Sequence, residues 1–282
     1  MSITRRVFLK GAAVGLAGAA VASKLAAAEA ADTAPRIHIG SCHIGLVGAK
    51  EAGLDGVEVS VGNAADTLSI AEPATRQKYK NEMKETGLAV CSFMMGLLNS
   101  YPLASDPRGP AWLEQSIDAA KDLGAKVILV AFFGKGSLGT KGNVKAADVD
   151  VVVERLKAVA PRAKDAGVVL GIENELPAKA NLEILDRIGS DAVGIYHDVY
   201  NLTNNGYDIP AEIRLLKDRI CQFHFKNGPA RLESGKVKWE PVAAAIKEIG
   251  YKKWIVLETS NPSKNVVADD KKNAEYIRKL FA

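Results

Sequence analysis

Lys164–Asn174 reads KDAGVVLGIEN, and its reading decides the fold. A charged, amphipathic stretch ends at Gly167, and an apolar run rich in β-branched residues follows at once. Glycine takes the left-handed backbone that ends a helix, and an apolar run of this length suits a strand buried on both faces. The same unit recurs as Lys50–Val61 (KEAGLDGVEVSV), Lys84–Met95 (KETGLAVCSFMM), Lys121–Phe133 (KDLGAKVILVAFF) and Lys247–Ser260 (KEIGYKKWIVLETS). Extending the pattern predicts strands over 37–40, 56–61, 88–95, 126–133, 168–174, 193–198, 220–225 and 254–259. Helices are predicted over 45–53, 74–87, 110–124, 146–166, 178–189, 208–219, 239–250 and 266–281. Eight β-α units point to a single (β/α)8 TIM barrel within the α/β class. The alternative, a doubly wound open sheet, would usually have fewer strands, and no G-x-G-x-x-G turn follows the first one.

The chain has 282 residues and a formal net charge of +4. Its first thirty residues have a different character. TRRVFLK (Thr4–Lys10) carries the pair Arg5 and Arg6, followed by the weakly apolar Gly11–Ser23 and the small residues Ala26, Ala28 and Ala30. The apolar run is too short to span a bilayer as a helix. The arrangement resembles a twin-arginine export signal, with residues 1–30 removed and 31–282 forming the barrel. That resemblance implies a periplasmic or otherwise exported protein, with the twin-arginine translocase as a transient partner. Residues 1–30 hold four basic residues and one acid, so removing them lowers +4 to +1. A near-neutral remainder gives no electrostatic case for nucleic acid or an anionic membrane. Cys42, Cys91 and Cys221 are odd in number and widely spaced, which argues against a disulfide framework.

A barrel places its reactive residues at the C-terminal ends of its strands. Strand 5 ends with Glu173, strand 6 with Asp198, strand 7 with His224 and strand 8 with Glu258. Alternation puts Val169, Gly171 and Glu173 on one face, as it does Ile220, Gln222 and His224, and Trp254, Val256 and Glu258. His197 should then face the helices. Three carboxylates and an imidazole around one axis repel unless protonated or bridged by a cation. This oxygen-rich set suits one divalent ion, with Mn2+ or Mg2+ favoured and Co2+, Fe2+ or Zn2+ compatible. His43, just after strand 1, sits on the same face and is a candidate substrate contact. His38 is expected in the core or barrel lining, Phe132 and Phe133 in the core, and Trp239 in the core or stacked on a sugar.

At these residues the chain resembles the sugar phosphate isomerase/epimerase superfamily of xylose isomerase-like barrels, over nearly the whole of 31–282. That group includes ketose 3-epimerases, hydroxypyruvate isomerase and inosose dehydratase. Its pattern of Glu-Asn, Asp, His-x-Lys and Glu after strands 5 to 8 matches Glu173-Asn174, Asp198, His224-x-Lys226 and Glu258. The resemblance implies metal-ligand roles for Glu173, Asp198, His224 and Glu258. It matches Glu58 to a Glu common at the end of strand 2, and makes Glu58, Asn201, Lys226 and His43 candidate substrate contacts. Two positions depart from the family. Asn201 stands where a His is frequent, and Asn227 where an Asp is frequent.

The chemistry expected is removal of an α-proton next to a sugar carbonyl, through an enediolate, with Glu173 and Glu258 moving protons. Depending on where the proton returns, the outcome is epimerisation or isomerisation. Loss of a neighbouring oxygen would make the enzyme a lyase or dehydratase acting on keto-sugars or keto-glycosides. A substrate without phosphate is favoured. Two other readings compete: a repair nuclease of the endonuclease IV type, disfavoured by four His and near-neutral charge, and a barrel that only binds carbohydrate.

Overall fold

The computed structural model describes residues 36–282, so the predicted export segment lies outside the described residues. Eight parallel strands close into a barrel: β1 (His38–Ser41), β2 (Gly56–Ser60), β3 (Ala89–Met95), β4 (Val127–Ala131), β5 (Val169–Glu173), β6 (Val193–Asp198), β7 (Ile220–Phe225) and β8 (Trp254–Leu257). Each strand pairs with its sequence neighbours, and β1 pairs with β8 to close the ring. The eight expected strands are all present. A two-stranded hairpin, Gly139–Thr140 with Asn143–Val144, decorates the loop after β4.

The surrounding helices are α1 (Leu46–Glu51), α2 (Pro73–Thr86), α3 (Gly109–Leu123), α4 (Ala146–Ala166), α5 (Ala178–Ile188), α6 (Val199–Asn204), α7 (Ile209–Leu216), α8 (Trp239–Glu248) and α9 (Val266–Phe281). Gly87, Gly124, Gly167 and Gly189 close α2 to α5 with φ of 76, 77, 67 and 70°. This is the helix-to-strand punctuation from which the repeat was read.

One helix differs from expectation. A single helix over 208–219 was predicted, but the connection from β6 to β7 holds both α6 and α7. Asp198 caps α6 by accepting the Asn201 N–H, and Asp208 caps α7 by accepting that of Ala211. Each short acidic side chain satisfies an N–H left over at a helix start.

The main core lies between barrel and helices, where Ile39, Phe93, Ile128, Ile172, Ile195, Phe223 and Leu257 pack against residues such as Trp112 and Ile246. A smaller cluster of Val127, Leu129, Ala131, Tyr196 and Cys221 packs separately from that shell. Two bulges interrupt the register. Val57 pairs with Val90 and Glu58 with Ser92, which leaves Cys91 extra. Ile195 pairs with Ile220 and Tyr196 with Gln222, which leaves Cys221 extra.

The second bulge corrects the expected alternation of Ile220, Gln222 and His224. Ile220 belongs to the outer core, whereas Gln222 and His224 bond to residues inside the barrel, because the extra residue reverses the phase below Gln222. The two extra cysteines play matching parts. Cys91 Sγ donates to the Val57 carbonyl at 3.2 Å, and Cys221 Sγ to the Ile195 carbonyl at 3.3 Å. Both are free, as expected of small buried hydrophobes.

Candidate active site

The ends of β5 to β8 bring Glu173, Asp198, His224 and Glu258 together. One ligand atom from each lies within 4.8 Å of the other three. His224 Nδ1 is 3.0 Å from Glu173 Oε1 and 3.3 Å from Glu258 Oε2. Glu173, Asp198 and His224 are buried, and Glu258 is half-buried towards the mouth. Asp198 is held by its capping role: Oδ1 accepts the Asn201 N–H at 2.7 Å, which directs Oδ2 away from the helix start. That oxygen forms an ion pair with Lys226 Nζ, 2.9 Å away. Lys226 Nζ also donates to Glu258 Oε2 at 2.6 Å.

The electrostatics follow from crowding. Burial raises the Glu173 carboxyl to about 7, with Asp198 and Glu258 adding to the rise and His224 opposing it. Burial likewise raises Asp198, assisted by Glu258 and resisted by Lys226. For Glu258, burial acts upward, but His224 and Lys226 outweigh it and hold this carboxyl low. Burial opposes the His224 imidazolium, yet Glu173, Glu58 and Glu258 together raise it well above the ordinary histidine value. Four carboxylates, Glu58 included, therefore face one ammonium and one imidazole. The crowding of carboxylates, the Asp198 oxygen turned away from the helix start and the oxygen-rich donor set all fit a divalent cation held by Glu173, Asp198, His224 and Glu258.

The other predicted residues fall in different places. His43 is exposed and lines a cavity of about 460 Å³ with Glu258, Thr259, Ser260 and Asn261. That is where a substrate contact was expected. Lys226 stands among the four candidate ligands rather than beyond them. Asn201 occupies the first turn of α6, one turn after Asp198.

Glu58 is not on the substrate wall; it is buried beside His224. Its Oε1 is 2.9 Å from His224 Nε2, and its Oε2 accepts from Ser92 Oγ at 2.7 Å and from Tyr196 OH at 2.9 Å. Both oxygens are thus engaged by protein groups, and the residue is 3% exposed. Asn227 is also spent on the protein. Its Nδ2 donates to the Leu232 carbonyl and its Oδ1 accepts the Val237 N–H, which closes the loop after β7.

His197 is buried on the helix side against Phe223, with ring centroids 5.4 Å apart, as alternation required. His38 stacks on Trp254 at 5.0 Å. Trp239 packs on Phe225 and donates its indole N–H to the Leu232 carbonyl, so it is core. Phe132 is core and Phe133 is half-buried against the inner cluster.

Sequence reasoning missed Ser92, Tyr196 and Gln222, which lie around Glu58. Alternation back from Asp198 and His224 singles out Tyr196 and Gln222. It also missed Cys42, whose Sγ lies within 4.8 Å of ligand atoms of Glu58 and His224. Burial raises that thiol well above its usual value, with Glu58 and Glu258 adding to the effect.

Comparison with known proteins bears on this site. Residues 47–280 match the profile of a family described as xylose isomerase-like TIM barrel. The chain is 26% identical over 185 residues to 2-epi-5-epi-valiolone 7-phosphate 2-epimerase of an Actinoplanes species. That alignment covers 64% of this chain and 66% of the relative, just under two thirds of its length. Among solved structures, L-ribulose 3-epimerase superposes with a TM-score of 0.70 at 22% identity, covering 87% of this chain and 94% of that one. The apo form of 3-keto-D-glucoside 4-epimerase from E. coli gives a TM-score of 0.69 at 17% identity, covering 86% and 99%. At these identities the structural likeness speaks for the fold.

Proposed function

We propose that this chain, which belongs to the xylose isomerase-like TIM barrel family, is a divalent-metal-dependent sugar isomerase or epimerase. The observation that carries the reading is the convergence of Glu173, Asp198, His224 and Glu258 at the C-terminal mouth. The names of the related proteins, epimerases of sugars or sugar-like polyols, support the reaction class.

A divalent cation held by these four residues would polarise the substrate carbonyl and stabilise the enediolate as charge develops. The protein's own groups do the rest. Glu173 and Glu258 both lie against His224 Nδ1, at 3.0 and 3.3 Å, and are held at different acidities, one raised by burial and the other lowered by His224 and Lys226. Such a pair suits one group taking the α-proton while the other returns one. Delivery to the opposite face of the same carbon inverts it, and delivery to the neighbouring carbon interconverts aldose and ketose. Lys226, beside Glu258, steadies a substrate oxygen. His43 and the polar residues of the cavity bind hydroxyls further out. A substrate without phosphate, and export through the twin-arginine route with the site already filled, belong to the same reading.

The test is metal analysis of the purified protein, followed by NMR of ketoses and 3-keto-glycosides in D2O. Deuterium entering the α-carbon together with a new epimer or isomer is the expected result. Binding without exchange would point to a carbohydrate-binding barrel, and release of a fragment or of water to a lyase.

A further inference from the structure

The hydrogen bonds around Glu58 have a direction. Gln222 Nε2 donates to Ser92 Oγ at 2.7 Å and to Tyr196 OH at 3.0 Å. With their oxygens accepting from Gln222, both hydroxyls point their hydrogens at Glu58 Oε2, at 2.7 and 2.9 Å. An ionised carboxylate only accepts. Its second oxygen, Oε1, faces His224 Nε2 at 2.9 Å and is placed to accept a hydrogen bond from it. The contributing side chains come from β2, β3, β6 and β7, and each is buried to 3% exposure or less.

We propose that Glu58 is a positioning residue, which fixes the His224 ring with Nε2 protonated and Nδ1 turned to Glu173 and Glu258 as the nitrogen offered to a cation. A histidine ligand needs one nitrogen free of its proton, and the bond made by the other nitrogen decides which. Glu58 therefore acts on the cation through His224. Ser92 and Tyr196 hold the carboxylate in turn, and Gln222 orients them. The inference rests on the reading of the four-residue metal site above.

The test compares Mn2+ affinity, by calorimetry on the full chain, for wild type, Glu58→Leu, Glu58→Gln and Tyr196→Phe. Glu58→Leu is expected to weaken Mn2+ binding by about 10- to 100-fold. Glu58→Gln keeps an acceptor for Nε2–H and recovers much of that loss. Tyr196→Phe removes one donor to Glu58 with little change of shape, and is expected to cost a few-fold; it keeps the idea testable if Glu58→Leu fails to fold. Nitrogen-15 NMR of the Mg2+-loaded wild type should show His224 protonated at Nε2 and not at Nδ1. A folded Glu58→Leu with wild-type Mn2+ affinity would overturn the proposal, as would a loaded wild type protonated at Nδ1. If Glu58→Leu does not fold, wild-type affinity in Tyr196→Phe would overturn it. A wild type that binds no divalent cation at all would instead sink the metal-site reading, and an Nε2 proton found in wild type but lost in Glu58→Leu would still establish the hold on the ring.

Discussion

Lys226 Nζ lies 2.6 Å from Glu258 Oε2, so the ammonium stands inside the group of carboxylates that a metal would share. It also lies 2.9 Å from Asp198 Oδ2. Without a metal it is the nearest full cation to both acids. Lys226→Met should therefore lower the melting temperature of chelator-treated protein by several degrees, since removing one partner of a largely buried pair costs up to about 3 kcal/mol. Added Mn2+ should restore more stability to this variant than to wild type, because no ammonium then competes for the same oxygens. Thermal melts with chelator and with Mn2+ check both halves. An unchanged chelated melt would mean the pair is a solvated surface contact.

A second prediction concerns the segment before the barrel. Arg5 and Arg6, with the alanine-rich stretch that follows, are read as a twin-arginine signal. Replacing both with Lys keeps the charge and removes the guanidinium pair. Cell fractionation should then find precursor retained in the cytoplasm, while the wild-type chain is recovered outside the inner membrane with a new terminus near Glu29 or Ala31. Unaltered export of the double variant would remove the reading.

His197 gives a prediction about acid stability. Neither ring nitrogen has a hydrogen-bond partner, and burial pushes this imidazole down to about 4 from 6.5. A histidine kept neutral in the folded chain contributes stability that is complete above pH 6.5 and is lost as pH falls towards 4, because only the unfolded chain takes the proton there. At pH 5 the loss is about 2 kcal/mol. His197→Leu should flatten the stability profile by that amount between pH 7.5 and 5, measured by urea unfolding. Parallel profiles for the two proteins would show that His197 titrates normally.

The sequence made some of this legible and hid the rest, for identifiable reasons. Glu173, Asp198, His224 and Glu258 could be found because each ends a strand, and strand ends in a barrel share one rim. His43 followed from the same logic. The bulge at Cys221 could not be read, since Ile220 and Cys221 are both apolar and the sequence does not show which of them faces the outer core. The six residues of α6 are too few to show a helical period, although Asp198 at its start was a usable cap signal. Glu58 was expected at the end of strand 2, but it is the middle residue of β2. Its contacts are with Ser92, Tyr196 and His224, which are 34, 138 and 166 positions away, and no local pattern encodes such a meeting.

The division of labour between the two Glu residues gives the last prediction. Both belong to the four-residue group, so Glu173→Gln and Glu258→Gln each weaken metal binding and also remove a base. Saturating Mn2+ separates these losses. If both groups move protons, each metal-saturated variant should stay about 100-fold or more below wild type in turnover. Asp198 is placed differently: one oxygen caps α6 and only the other faces the site, so it has no part in proton transfer. Asp198→Asn should therefore recover much of its activity when metal is restored. For an epimerase, loss of one Glu should leave α-deuteration of one substrate epimer in D2O while net conversion stops, because each carboxylate serves one face of the carbon. Full turnover by both metal-saturated Gln variants would eliminate the two-carboxylate mechanism and shift proton transfer to Lys226 or water.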